Sequence, residues 1–173
     1  LNNVETWANV PAIIQKGSAW FASKGTKGSK GTKILALTGR IKNTGLVEVA
    51  MGTSIRTVVF DIGGGAVNGN AIKAVQIGGA AGQCVPAHEF SRTIAFEDIP
   101  TGGSVIVFGP RRDMLRAARN FLEFFAEESC GQCTPCREGA LWMSKVLERM
   151  AHGQGRGQDA DDLLHIARNI QGR

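Results

Sequence analysis

Apolar residues recur at helical spacing in the last third of the chain and in short extended runs in its middle. Met114, Leu115, Ala118, Phe121, Leu122 and Phe125 form a stripe that predicts a helix from Arg111 or Arg112 to about Glu127. Helical periodicity resumes over residues 137–150 through Leu141, Trp142, Val146, Leu147 and Met150. The glycine-rich stretch 153–157 breaks it, and Asp159 or Asp161 is expected to cap a last helix with Leu163, Leu164, Ile166, Ala167 and Ile170 facing inward. Three such helices predict a small bundle over residues 110–173.

Residues 33–109 read as a mixed module. Residues 33–38 and 45–49 are short apolar runs separated by Lys42-Asn43-Thr44-Gly45, which predicts a hairpin. Ile55, Val58, Val59 and Ile62 then make the stripe of one short helix, with Ser54 as N-cap and residues 63–65 as its stop. Residues 72–77 and 105–108 complete the sheet, and the order β-β-α-β-β is that of a β-grasp. The fold class expected is therefore α+β. Glycine-rich residues 78–82 follow a strand, but Pro86 argues against a helix behind them, so they are expected to turn rather than cradle phosphate. Cys84, beside Val85, is expected to be a small buried hydrophobe without a metal. Residues 1–22 read as a connecting segment whose apolar residues 10–14 and Trp20-Phe21 pack on a neighbour, and residues 23–32, having neither period, as a mobile loop.

At 173 residues and 43% hydrophobic, the chain is long enough for one or two small cores, and no apolar run approaches the roughly 18 residues of a membrane span. The net charge of +5 comes partly from Lys24, Lys27, Lys30 and Lys33. Without a nucleic-acid motif or any tyrosine for stacking, these predict a solvated loop and no nucleic-acid partner. No secretory signal opens the sequence, and its cysteine usage fits a reducing, cytoplasmic compartment.

The chemistry concentrates in Ser129-Cys130-Gly131-Gln132-Cys133-Thr134-Pro135-Cys136-Arg137-Glu138-Gly139. Two successive C-x-x-C steps can turn Cys130, Cys133 and Cys136 toward one point, as iron–sulfur ligands do. Zinc is the alternative reading, with His152 or His165 as a fourth ligand and the cysteines stapling a non-catalytic interaction module. Three thiols within seven residues cannot all pair locally as disulfides, and a nucleophile needs one thiol. Cys136 lies near the start of the following helix, whose positive end, together with Arg137, favours an anionic thiolate-ligated group and shifts its potential upward.

The stretch from Glu128 to Gly139 resembles the [4Fe-4S] motif of the NADH-oxidising flavoprotein subunit of respiratory complex I and of related hydrogenase and formate dehydrogenase diaphorase subunits. The segment from Asn2 to Pro11 is similar to the part of that family beside the flavin, and residues 38–49 to the opening of its ubiquitin-like β-grasp domain. The resemblance implies that Asn2, Asn3 and Thr6 line FMN, that Cys130, Cys133 and Cys136 hold a [4Fe-4S] cluster, and that NADH reduces the flavin. It further implies partner iron–sulfur subunits of an NADH-oxidising complex and a place peripheral to the inner membrane. By the same resemblance, a flavin- and NADH-binding domain would precede Leu1 and a fourth cysteine would lie just past Arg173, so a C-terminal fragment is expected. The link over residues 97–104 is shorter than the family's usual one.

Overall fold

In the computed structural model, which describes residues 1–171, the chain divides into two units, Leu1–Arg111 and a second that begins at Arg112. The first holds every strand. Helix α1 (Val4–Lys16) and the short α2 (Ser18–Ala22) precede β1 (Thr32–Gly39), β2 (Gly45–Ala50), β3 (Ala74–Ile77), β4 (Gln83–Pro86) and β5 (Ser104–Phe108). The sheet order is β2-β1-β5-β3-β4. The β1–β5 pair is parallel and the other three pairs are antiparallel. Alternation selects the buried face: Leu35 and Leu37 point inward from β1 while Ile34, Ala36 and Thr38 point out. Val105 and Val107 of β5 and all four residues of β3 are buried, and Ile55, Val58, Val59, Phe90, Ile94 and Ile99 fill the space against them. Each such side chain contributes about 1.5–3 kcal/mol by leaving water.

Four expectations change here. The short helix is a π-helical turn, Thr57–Ile62, with Gly63 N donating to Val58 O. Its widened backbone still buries Val58 and Val59, and Ser54 Oγ accepts from Thr57 N at 3.1 Å. Gly63 abuts Ile41, whose Cδ1 would lie 2.1 Å from an added Cβ. Second, β4 forms where only a turn and an isolated cysteine were expected. The glycine stretch is its hairpin turn: Gly78 and Gly79 have φ of +92° and +75°, and Gln76 Nε2 donates to Gly79 O at 2.7 Å. Third, Cys84 is exposed rather than buried, because on this edge strand the inward position belongs to Val85; its remaining partial burial pushes the thiol pKa up.

The fourth correction concerns residues 23–32, which are tied down rather than mobile. Thr26 N donates to Ser29 O at 2.8 Å, Gly25 pairs with Lys30, and the carboxylate of Glu97 accepts from both Thr26 and Ser29 hydroxyls. Ser29 Oγ also accepts from Phe96 N at 2.8 Å, and Ser29 is buried. The anchor is remote in sequence, so local composition does not reveal it. Phe21 lies over Gly31, where φ is +85° and a Cβ would meet Phe21 Cζ at 2.2 Å.

The second unit packs α3 (Met114–Glu127), α4 (Thr134–Ala151) and α5 (Asp159–Ile170), with α4 against both neighbours. Asp113 caps α3, accepting from Leu115 N at 3.0 Å and Arg116 N at 3.2 Å. The inward face of α4 is Gly139, Ala140, Met143, Val146 and Leu147, whereas Leu141 and Trp142, expected inside, are exposed. Gly139 explains the rotation: a Cβ there would sit 2.9 Å from both Ile166 Cγ2 and Ile170 Cδ1, so α5 approaches α4 over its small residues. Ala118 of α3 and Leu164 and Ala167 of α5 are likewise exposed, and Ala117 is buried in place of its neighbour. Asp159 does not cap α5 from outside; Gln158 holds that position and Asp159 is the first helical residue. None of the described helices is long and apolar enough to cross a membrane.

Candidate metal centre

The three cysteines of the motif fall on one loop and the first turn of α4. Cys133 is the N-cap residue of α4, Thr134 and Pro135 open the helix, and Cys136 follows within its first turn. Proline fits there because its missing N–H would have had no intrahelical acceptor. Cys130 and Cys133 are exposed and Cys136 is half-buried. No side chain caps this helix start, so its backbone donors and the positive end of its dipole face the loop. The helix begins three residues before the sequence pattern predicts, which brings Cys136 into it.

The loop is bound to itself. Gly131, with φ of +76°, turns the chain between the first two cysteines. Its N–H donates to Ser129 Oγ at 3.3 Å, and Ser129 Oγ lies 3.7 Å from Cys136 Sγ. Arg137 reaches back from the helix: Nη1 donates to Gly131 O at 2.5 Å, Nη2 to Thr134 Oγ1 at 3.4 Å and Nε to Glu138 Oε1 at 3.0 Å. Sequence reasoning marked Arg137 as a charge and passed over Ser129. An apolar groove of about 340 Å³ opens beside the loop, lined by Pro135, Trp142, Ile166 and Asn169 among others.

Among the described residues no three His, Cys, Asp or Glu side chains are gathered closely enough to hold a metal ion. The donor chemistry nevertheless fits a thiolate-ligated cluster: three soft thiols share one loop with an uncapped helix N-terminus and the Arg137 guanidinium. The histidines proposed for zinc are placed less well. His152 is the C-cap of α4, at the opposite end of an 18-residue helix from the loop, and its Nδ1 lies 2.8 Å from Glu148 O. At about 1.5 Å per residue, that is roughly 28 Å from Cys133 along the helix. His165 is exposed on α5.

Asn2, Asn3 and Thr6, which the resemblance implies for a flavin, lie at the start of α1. Asn2, Asn3 and Thr6 are all exposed, and Asn3 already has a structural task, since its Oδ1 accepts from Glu5 N at 2.8 Å as the helix N-cap. Glu5, which the sequence did not single out, fixes this end of the helix to β1: its carboxylate accepts from Ile34 N at 2.7 Å and pairs with Lys33. Burial raises the Glu5 pKa, but the Lys33 bond, the Ile34 N–H and the Lys33 charge together hold it below the usual value. No residue of α1 is buried, and Val4, Trp7 and Ile14 expose large apolar surfaces.

Residues 116–173 match the family model described as the NADH-ubiquinone oxidoreductase-F iron-sulfur binding region. The chain is 43% identical over 177 residues to the NADP-reducing hydrogenase subunit HndC of Solidesulfovibrio fructosivorans, covering 99% of this chain and 36% of that protein. It is 37% identical over 174 residues to the F-type subunit of NADH-quinone oxidoreductase from Escherichia coli strain K12, covering 97% of this chain and 39% of the relative. A crystal structure of an NAD+-reducing [NiFe]-hydrogenase in the H2-reduced state superposes with a TM-score of 0.85 at 37% identity, covering 95% of this chain and 28% of that one. The chain thus spans less than half the length of the relatives it matches. The chain is similar from end to end to part of F-type NADH-quinone oxidoreductase and hydrogenase subunits, and its cysteine loop lies inside the matched iron–sulfur binding region.

Proposed function

We propose that the chain is the electron-relay part of an NADH-oxidising flavoprotein subunit, with residues 1–32 beside the flavin, residues 33–109 as a β-grasp domain and residues 110–173 as the iron–sulfur domain. The observation that carries this reading is the loop itself, with three thiols within seven residues set against the uncapped start of α4. The sheet order β2-β1-β5-β3-β4 with its parallel central pair supports the ubiquitin-like β-grasp assignment. Cys130, Cys133 and Cys136 would supply thiolates to a [4Fe-4S] cluster, which when bound contributes one-electron redox chemistry. Asn2, Asn3 and Thr6 would form one edge of an FMN site, and NADH would be the reductant of the whole subunit. The uncapped N–H groups at the start of α4 would favour an anionic thiolate-ligated group there, and Arg137, bound to Gly131 O, would add positive charge to the loop. Partner iron–sulfur subunits would accept the electrons, in a cytoplasmic complex or one peripheral to the inner membrane.

Anaerobic iron–sulfur reconstitution of the full-length subunit tests this. The expected result is a brown protein with about 4 iron atoms per chain at this site, lost in Cys133→Ala. A colourless protein holding stoichiometric zinc would overturn it.

A further inference from the structure

We propose that Arg137 is a positioning residue that clamps the cysteine loop into shape before any metal binds. The inference rests on reading Cys130, Cys133 and Cys136 as ligands. The guanidinium donates to three oxygens: the Gly131 carbonyl, the Thr134 hydroxyl and the Glu138 carboxylate. The residue therefore acts on the backbone that carries the thiols. Gly131 is the point where the loop reverses, in the left-handed region, and its carbonyl is held from the helix side by Arg137 while its N–H is held by Ser129. Ser129 in turn lies against Cys136 Sγ at 3.7 Å. Two ties thus cross from the loop to the first turn of α4, and Cys130 and Cys133, both exposed, lie on the backbone between them. Exposed side chains of this kind otherwise lose conformational freedom only when a metal gathers them, which weakens binding. A planar, forked guanidinium can hold the carbonyl, the hydroxyl and the carboxylate at once, whereas the single ammonium of lysine cannot reproduce that geometry.

Because charge and geometry both reside in Arg137, the deciding variant is Arg137→Lys, with Arg137→Gln beside it and Glu138→Gln as a control that keeps the bond to Gly131. The first measurement is amide hydrogen exchange over residues 131–134 in the metal-free protein. The second is a Co2+ titration followed by the thiolate-to-metal charge-transfer band. The clamp predicts that both Arg137 variants speed exchange and weaken Co2+ binding by roughly three- to tenfold, the size of one partly exposed charge-assisted hydrogen bond. Glu138→Gln should change neither by more than about twofold. If Arg137→Lys matches the parent in exchange and in Co2+ affinity, the guanidinium contributes only charge and the clamp is refuted. If the parent protein takes up neither Co2+ nor iron, the ligand reading fails while exchange still decides whether Arg137 orders the loop.

Discussion

Asp159 is almost fully buried and still carries its charge, because Arg156 N donates to its carboxylate at 2.8 Å and the Arg149 guanidinium pairs with it. The Arg156 N–H is the largest influence. Burial opposes it, and the bond and charge of Arg149 leave the carboxyl net below its usual range. The cluster closes the turn between α4 and α5. It is not perfectly satisfied, since Arg149 Nε is buried without an acceptor among the described residues. A pKa lowered on folding contributes stability that is complete above the unfolded value of about 3.9 and is lost as pH falls through the folded value. Asp159→Asn should therefore lower the thermal midpoint at neutral pH and flatten its acid dependence below about pH 4. Midpoints measured from pH 7 downward check this, and parallel acid slopes in the two proteins would refute it. In the first unit Asp98 works in the same direction, held low first by the Thr93 N–H and also by Arg92.

At the scale of elements, α4 shows how a helix face is chosen. Leu141 and Trp142 are more hydrophobic than Gly139 and Ala140, yet the smaller pair lies inside because Ile166 and Ile170 of α5 fill the space above them. Gly139→Leu should therefore push α5 away and cost about 1–3 kcal/mol, read as a lower urea midpoint of the helical signal. Gly139→Ala should cost less, about 1 kcal/mol, because the Ile166 Cγ2 methyl sits on a stiff β-branched carbon and must shift, which the gain in helix propensity offsets only in part. The existence of α3, α4 and α5 was legible from apolar spacing, as was the cysteine loop from its residue types, whereas α1 and α2 fall in a segment read only as a connector and α4 begins three residues before its spacing predicts. The choice of face was not, because it depends on which neighbour approaches most closely. The strand holding Cys84 pairs with β3 just across the hairpin turn of residues 78–82, and its four residues are too few to show a strand pattern. The tied loop of residues 23–32 was hidden because Glu97 supplies its partner from far along the chain. Breaking that remote anchor should restore the mobility that the local sequence suggests. Glu97→Gln is expected to speed amide exchange at Ser29 about tenfold by weakening its charge-assisted bonds, while leaving the exchange of β5 unchanged.

For the molecule as a whole, each unit has its own packed interior, while α1 keeps an apolar surface of Val4, Trp7 and Ile14 in solvent with Asn2, Asn3 and Thr6 beside it. A cofactor pocket usually encloses most of its ligand, and three exposed polar side chains on one helix end form an edge rather than an enclosure. This chain with added FMN should therefore oxidise NADH no faster than free FMN does with the same artificial acceptor. Turnover above that background would show that α1 holds flavin unaided. Within the full-length subunit, Asn3 needs two substitutions, because its side chain also caps α1. Asn3→Ala removes both the cap, at about 1 kcal/mol, and any flavin contact, whereas Asn3→Ser retains a capping oxygen. If Asn3 touches FMN, both variants lower flavin occupancy and only the alanine lowers helix stability. Should Asn3→Ser keep full flavin occupancy, the residue serves the helix and not the cofactor, and Glu5, which fastens the same helix end to β1, becomes its structural counterpart.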